Sequence, residues 1–332
     1  MSLLTVKNLN VAFRLGKQEL PALMDVSFSL DRGERIAFVG ESGAGKSILG
    51  FSIVNLISKP GYIQSGSIKL NKKEIIGLNR RQMQEIRGKR IAMIFQDPMM
   101  TLNPVLTIGQ QLVEAIKSHT NITYRDAKNI AIEKLLSVQI ASPERRFNQY
   151  PHELSGGMRQ RVIIAAILLL NPDVIIADEP TTALDVTIQA EILQLLLEIC
   201  KKNDVALILI SHDLGIVSKV AERTLVMYAG RIVEEGPTLE LINDPQHPYT
   251  QGLLNALPQM ALPGQRLNQI KGSMPSLADR PSGCAFHNRC PYAMEKCKDQ
   301  QPEFIHSGIS TVSCFMIEEM LEEERNAQEG LL

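Results

Sequence analysis

The stretch Arg35-Ile-Ala-Phe-Val-Gly-Glu-Ser-Gly-Ala-Gly-Lys-Ser47 sets the reading of the whole chain. Ile36 to Val39 is an unbroken apolar run, which predicts a strand buried on both faces. Gly40, Gly43 and Gly45 space a loop, and Lys46-Ser47 open a segment, Ile48 to Ile57, that reads as a helix. The pattern G-x-x-x-x-G-K-S between strand and helix is a P-loop. Its glycines let backbone N–H groups curl around an anion without a Cβ in the way. The helix N-terminus adds unpaired donors and partial positive charge. Lys46 is placed to reach β- and γ-phosphates, and the Ser47 hydroxyl to ligate Mg²⁺. The stretch therefore predicts an α/β domain that binds a nucleoside triphosphate.

The 332 residues allow one large domain or two unequal ones. A hydrophobic content of 44% supports a core, and a net charge of −1 gives no global pull toward nucleic acid or an anionic membrane. The longest apolar run, Val162 to Leu170, stops at Asn171-Pro172, short of a membrane span. The start, Met1-Ser-Leu-Leu-Thr-Val-Lys7, lacks the charged-then-apolar layout of a secretion signal. A cytoplasmic protein is expected, with any membrane role supplied by a partner. Four of the five cysteines lie after position 280.

Upstream of the P-loop, Leu3 to Phe13 alternates like a half-buried strand, Gly16 to Leu20 reads as a loop, and Ala22 to Leu30 as a second strand. Ser65 to Ile76 adds further sheet. A small antiparallel sheet here could lie over a nucleotide base, which makes Phe13 a candidate for stacking; an ordinary edge-strand aromatic fits equally well. Arg90 to Gln96 is a buried strand leading into a Pro-containing loop. Residues 106–171 read as mainly helical. Thr107 to Ile116 is amphipathic, and Thr123 with Asp126 is a capping-box-like start for a run to Val138. Leu154-Ser-Gly-Gly-Met158 precedes an apolar helix, Arg161 to Leu170, and could present donors to a phosphate.

Asp173-Val-Ile-Ile-Ala-Asp178-Glu179 is a buried strand with two carboxylates at its C-terminal end, where doubly wound folds bind ligands. One carboxylate can hold Mg²⁺ and the next can polarise a water. A further strand, Val205 to Ile210, ends in Ser211-His212-Asp213, and Arg223 to Tyr228 with Arg231 to Glu234 form a hairpin. The core ends near Pro258. Pro and Gly then punctuate the chain to Gly283 like an extended arm, and Ile317 to Leu332 reads as an acidic helix with a disordered end.

With these residues in place, the chain resembles the ATP-binding subunits of ABC transporters over about residues 1–257. Gly40 to Ser47 resembles Walker A, Gln96 the Q-loop, Leu154 to Met158 the signature, Val174 to Glu179 Walker B, Ala183-Leu184-Asp185 the D-loop, and His212 the H-loop. The signature departs from the commoner pattern in ending on Met158 rather than Gln. Gln96-Asp-Pro-Met-Met-Thr-Leu-Asn-Pro104, His247-Pro-Tyr-Thr250 and Arg289-Cys-Pro-Tyr-Ala293 are similar to the dipeptide/oligopeptide import branch, and extend the resemblance to the whole chain.

The resemblance implies an ABC-type P-loop core with an antiparallel β subdomain and a helical subdomain (about residues 100–171). A small Cys-rich extension over 258–332 completes the fold. It implies that Gly40, Ser42, Gly43, Ala44, Gly45, Lys46 and Ser47 bind phosphates and that Phe13 stacks on adenine. Ser47, Gln96 and Asp178 would serve Mg²⁺, Glu179 the attacking water, and His212 the γ-phosphate. Ser155, Gly156, Gly157 and Asp185 would complete a partner's site in trans. It further implies an ATPase on the cytoplasmic face of the inner membrane. Its partners would be a second cassette in a heterodimer, two permease subunits and an extracytoplasmic solute-binding protein, with no nucleic acid. The competing readings are a soluble ABC ATPase uncoupled from transport and a nucleotide-driven metal–sulfur protein.

Cys284, Cys290, Cys297 and Cys314 form the last cluster, while Cys200 reads as a core residue. Disulfides do not suit a reducing cytoplasm. Four thiolates suit zinc or an iron–sulfur cluster, and the absence of tight C-x₂₋₄-C pairs favours the latter. In the branch that the chain resembles, this extension is associated with a 4Fe–4S cluster in some members. A 4Fe–4S cluster on these four cysteines is therefore expected, with zinc as runner-up.

Overall fold

The computed structural model describes residues 2–97, 101–182, 184–257 and 269–329. Two compact units interleave along the chain. One comprises Met1–Leu3, Leu30–Glu34 and Ile75–Leu209, the other Leu4–Ser29, Arg35–Glu74 and Ile210–Leu332.

In the second unit, β1 (Ser2–Leu15) and β2 (Gln18–Asp31) are neighbours joined by a two-residue turn. β3 is Arg35–Val39, β4 is Gly61–Leu70 and β5 is Lys73–Glu74. β2, β1, β4 and β5 make a four-stranded sheet in that order. The loop expected at Gly16 to Leu20 is thus only its first two residues. Gly16 takes φ 63°, which turns the chain tightly enough for β2 to begin at Gln18. β3 pairs in parallel with β9 (Arg223–Tyr228), Ile36 opposite Arg223 and Val39 opposite Val226. β9 turns through Ala229 and Gly230, both at positive φ, into β10 (Arg231–Pro237). Two short strands that the sequence reading missed, β11 (Ile305–Ser307) and β12 (Ser310–Val312), continue the sheet from β10. At three residues each they carry too little alternation to be seen as strands.

In the first unit, β6 (Ile91–Ile94), β7 (Val174–Asp178) and β8 (Ala206–Ser211, which begins in this unit) lie side by side. β6 and β7 are parallel, Ile91 opposite Val174 and Ile94 opposite Ala177, and every residue of both is buried. That double burial explains their continuous apolar sequence. At the foot of β7, Asp173 accepts from Arg32 (3.4 Å) and Arg90. The expected helical region resolves into Ile108–Lys117, Tyr124–Ser137, Pro143–Phe147 and Gly156–Leu168. Thr107 and Thr123 cap the first two, each hydroxyl accepting an N–H three residues on. Val162, Ile163, Ile164 and Ala165 bury the face of the last. Among the described residues no helix is long and apolar enough to cross a membrane.

Other boundaries differ modestly. The P-loop helix is Lys46–Ile53, stopped where Asn55 takes φ 51°. The C-terminal helix is Phe315–Glu329. Pro98 to Met100, Ala183, 258–268 and 330–332 lie outside the described residues, and with them part of the Q-loop, D-loop, arm and tail expectations.

Candidate functional site

The P-loop, in the second unit, leaves β3 at Gly40 and ends in the helix Lys46–Ile53. Gly40 has φ 154°, and a Cβ there would stand 2.3 Å from the Met227 carbonyl oxygen. Gly45 has φ 103°, and its Cβ would press Leu23 at 2.9 Å. Both conformation and space therefore require glycine. Ser42 and Gly43 are exposed, Ala44 is buried and Ser47 half-buried. Lys46 is 5% exposed, and its ammonium donates to the carbonyls of Gly40 (2.7 Å) and Glu41 (3.0 Å). These bonds hold the charge along the loop, where a phosphate-binding lysine must sit.

The same unit carries Phe13 and His212. Phe13 is half-buried opposite Gly61 in the β1–β4 ladder, and a Cβ on Gly61 would meet its ring edge at 2.8 Å. His212 is exposed just past β8, followed by Asp213, whose carboxylate accepts from Gly215 N (2.8 Å) and caps the next helix.

In the first unit, β7 delivers Asp178 buried, 1% exposed, and Glu179 directly after it. Glu179 has φ 45°, a left-handed backbone that residues other than glycine rarely adopt. Its carboxylate accepts from Gln96 Nε2 and Thr182 Oγ1, both at 3.1 Å. Gln96 and Glu179 are thus hydrogen-bonded partners. Strained backbone with fixed side chains is common where groups must be held for chemistry.

The signature departs from expectation. It does not precede its helix: Ser155 is the N-cap, its hydroxyl accepting from Met158 N at 3.3 Å, and Gly156 is the first helical residue. Ser155 and Gly156 are exposed. A Cβ on Gly157 would stand 2.9 Å from Ile188 Cγ2, and one on Gly156 3.2 Å from Leu184 Cδ2. Small residues here let the signature helix approach the segment around the D-loop. Asp185 is the exposed N-cap of helix Val186–Asn203, in which Cys200 is buried core, as expected.

Cys284, Cys290, Cys297 and Cys314 line one pocket with His247, His287, Phe286 and Phe315. Burial, then the neighbouring thiols, push Cys284 up to about 11; burial also raises Cys290 and Cys314. Among the described residues no group of three or more His, Cys, Asp or Glu is spaced to hold a metal ion. Neither the expected 4Fe–4S cluster nor the zinc alternative therefore has a formed ligand set among the described residues.

The sequence reading missed one arrangement altogether. Arg289, its side chain 5% exposed, grips the Glu41 carboxylate with both guanidinium ends, at 2.6 and 3.0 Å. The Tyr249 hydroxyl accepts from Glu41 N at 2.8 Å. Around this contact Tyr228 packs edge-on with Tyr249 (4.7 Å between centroids) and Phe286 (5.1 Å), and the Tyr249 and Phe286 rings are tilted to each other at 5.4 Å. Burial drives the His247 imidazole down to about 3, so it stays neutral, and its Nδ1 accepts from Tyr249 N at 3.0 Å. One signal was available: Glu41 is the sole carboxylate in the loop, and an anion beside a phosphate site calls for a counter-charge.

Comparison with known proteins gives the context. Residues 23–182 match the family model for ABC transporters, and 233–297 that for the C-terminal region of oligopeptide/dipeptide transporters. The chain is 47% identical to the oligopeptide transport ATP-binding protein AppD of Bacillus subtilis, over 96% of this chain and 98% of the relative. It is 46% identical to the dipeptide transport ATP-binding protein DppD of Haemophilus influenzae, over 95% of each. Among solved structures, the dimeric ABC transporter cassette MJ0796 matches with TM-score 0.63 at 26% identity, over 71% of this chain and 98% of that one. Motifs, fold and full-length similarity agree, and the chain belongs to the oligopeptide/dipeptide transport ATP-binding proteins of the ABC transporter family.

Proposed function

We propose that this chain is the ATP-hydrolysing subunit that powers import of di- or oligopeptides, or a related small solute, through an inner-membrane ABC transporter. Similarity to peptide transport ATP-binding proteins that runs through the extension as well as the cassette carries this reading. ABC ATP-binding proteins are ATPases, so hydrolysis coupled to transport follows from the family. The comparisons do not favour an uncoupled ATPase or a metal–sulfur enzyme. The chain acts peripherally at the cytoplasmic face, with two permease subunits, an extracytoplasmic binding protein and a second cassette in a heterodimer. Residues 1–257 are the cassette and 258–332 the extension.

The motifs assign the roles. Lys46 and the backbone donors from Gly40 to Ser47 hold the phosphates, and Phe13 stacks on adenine. Ser47, Gln96 and Asp178 would hold Mg²⁺, which supplies charge neutralisation on the phosphates. Glu179 orients or deprotonates the attacking water, and the Gln96 bond fixes that carboxylate. His212 reads the γ-phosphate. Ser155, Gly156, Gly157 and Asp185 complete the partner's site; the exposure of Ser155, Gly156 and Asp185 suits this.

The four cysteines are read as holding a 4Fe–4S cluster. The pocket that all four cysteines line supports this reading, since a Cys₄ cluster draws its ligands to one place. Its role is to fold a tail with little core of its own.

The test is reconstitution with the two permeases in proteoliposomes. Di- or oligopeptide uptake that needs ATP, the binding protein and an intact Lys46 is the expected result. Peptide-independent hydrolysis, or copurification with ribosomes rather than permeases, would overturn the transport reading.

A further inference from the structure

We propose that Arg289 is a positioning residue for the ATP site, acting through Glu41. The inference rests on the P-loop as the ATP site and adds a function for the extension: it neutralises and shapes the loop. Glu41 is the second residue of the loop, between Gly40, where strain and space demand glycine, and the exposed Ser42. Its carboxylate would oppose a bound triphosphate if left uncompensated. Arg289 covers both oxygens in a two-pronged pair, the geometry that a guanidinium fork offers and an ammonium does not.

Further contacts fix Arg289 in place. Its Nε donates to the Lys271 carbonyl at 2.9 Å, and its guanidinium lies over the rings of Tyr228 (5.8 Å) and Phe286 (6.0 Å). The Arg289 backbone N–H donates to Phe286 O at 2.9 Å, within the same turn that carries Cys284 and Cys290. Tyr249 meanwhile holds Glu41 from its backbone N–H. Glu41 is thus gripped at main chain and side chain by two residues far along the sequence. The pairing holds the Arg289 guanidinium charged. The extension thereby sets the charge and the shape that the loop presents to phosphate.

The test uses the assembled transporter. In Arg289→Ala, KM for MgATP and the Kd for ATP should each rise about tenfold, which is about 1.4 kcal/mol. The kcat should change far less, since the lost interaction acts on ground-state and transition-state binding alike. Arg289→Lys, keeping charge without the fork, should fall between. Adding Glu41→Gln to Arg289→Ala should recover most of the lost affinity, because it removes the uncompensated carboxylate. That rescue is a readout that simple destabilisation would not give. Unchanged KM and Kd in a folded Arg289→Ala protein overturns the proposal, and so does a defect that Glu41→Gln fails to relieve. If Arg289→Ala does not fold, Arg289→Lys with and without Glu41→Gln decides on the same criteria. Lys46→Ala tests the ATP site itself: if ATP binding survives that change, the site assignment fails, whatever Arg289 does.

Discussion

At the residue scale, Glu179 concentrates the features that catalysis requires. It follows a buried strand, takes a left-handed backbone, and has its carboxylate held by Gln96 and Thr182. Glu179→Gln keeps the shape and removes the charge. We expect near-normal ATP binding and a loss of roughly 10²–10⁴-fold in turnover. Steady-state hydrolysis beside an equilibrium binding measurement checks this, and near-normal turnover would remove Glu179 from the role. Lys46→Ala should weaken nucleotide binding itself. Much of this was legible in advance, because the P-loop and the double carboxylate are local patterns that need few residues to specify. The Gln96–Glu179 bond was not, since the two lie far apart in sequence and only parallel pairing of β6 with β7 aligns their strands. Arg289 and Tyr249 were visible only as parts of a resemblance, for the same reason.

At the element scale, the signature helix shows how local chemistry misleads. Ser-Gly-Gly reads as loop, since glycine weakens a helix by about 1 kcal/mol. The structure nevertheless starts the helix at Gly156, because the Ser155 cap satisfies an orphan donor and closeness to Leu184 and Ile188 leaves little room for larger side chains. A cap can be separated from a catalytic contact. Ser155→Ala should lower unfolding free energy by about 1 kcal/mol, while Ser155→Asn, an equally good cap, should leave it within a few tenths. If Ser155 also touches a phosphate in the assembled transporter, both variants should lose hydrolysis. Full hydrolysis in Ser155→Asn would leave the residue a cap alone. The cysteine-bearing tail was legible as a cluster but not as a sheet extension, because β11 and β12 are so short. Anaerobic purification should yield about four irons per chain, as the proposed Cys₄ cluster requires. One zinc per chain with no iron would overturn the cluster.

At the scale of the whole molecule, the count of motifs matters more than their geometry. The chain has one P-loop and one signature, so in the proposed trans arrangement each cassette's signature completes the other's nucleotide site. Ser155, Gly156 and Asp185 are exposed, and Val186, beginning the helix after the D-loop, is 82% exposed despite its apolar side chain. In the proposed heterodimer the two sites are distinguishable, which turns the trans model into a measurement. Ser155→Arg in this chain alone should abolish hydrolysis at the partner's P-loop and spare hydrolysis at its own Lys46. Photocrosslinking from position 155 should label nucleotide held by the partner. If position 155 instead crosslinks to the nucleotide held by its own Lys46, the trans arrangement is wrong and the chain completes its own site.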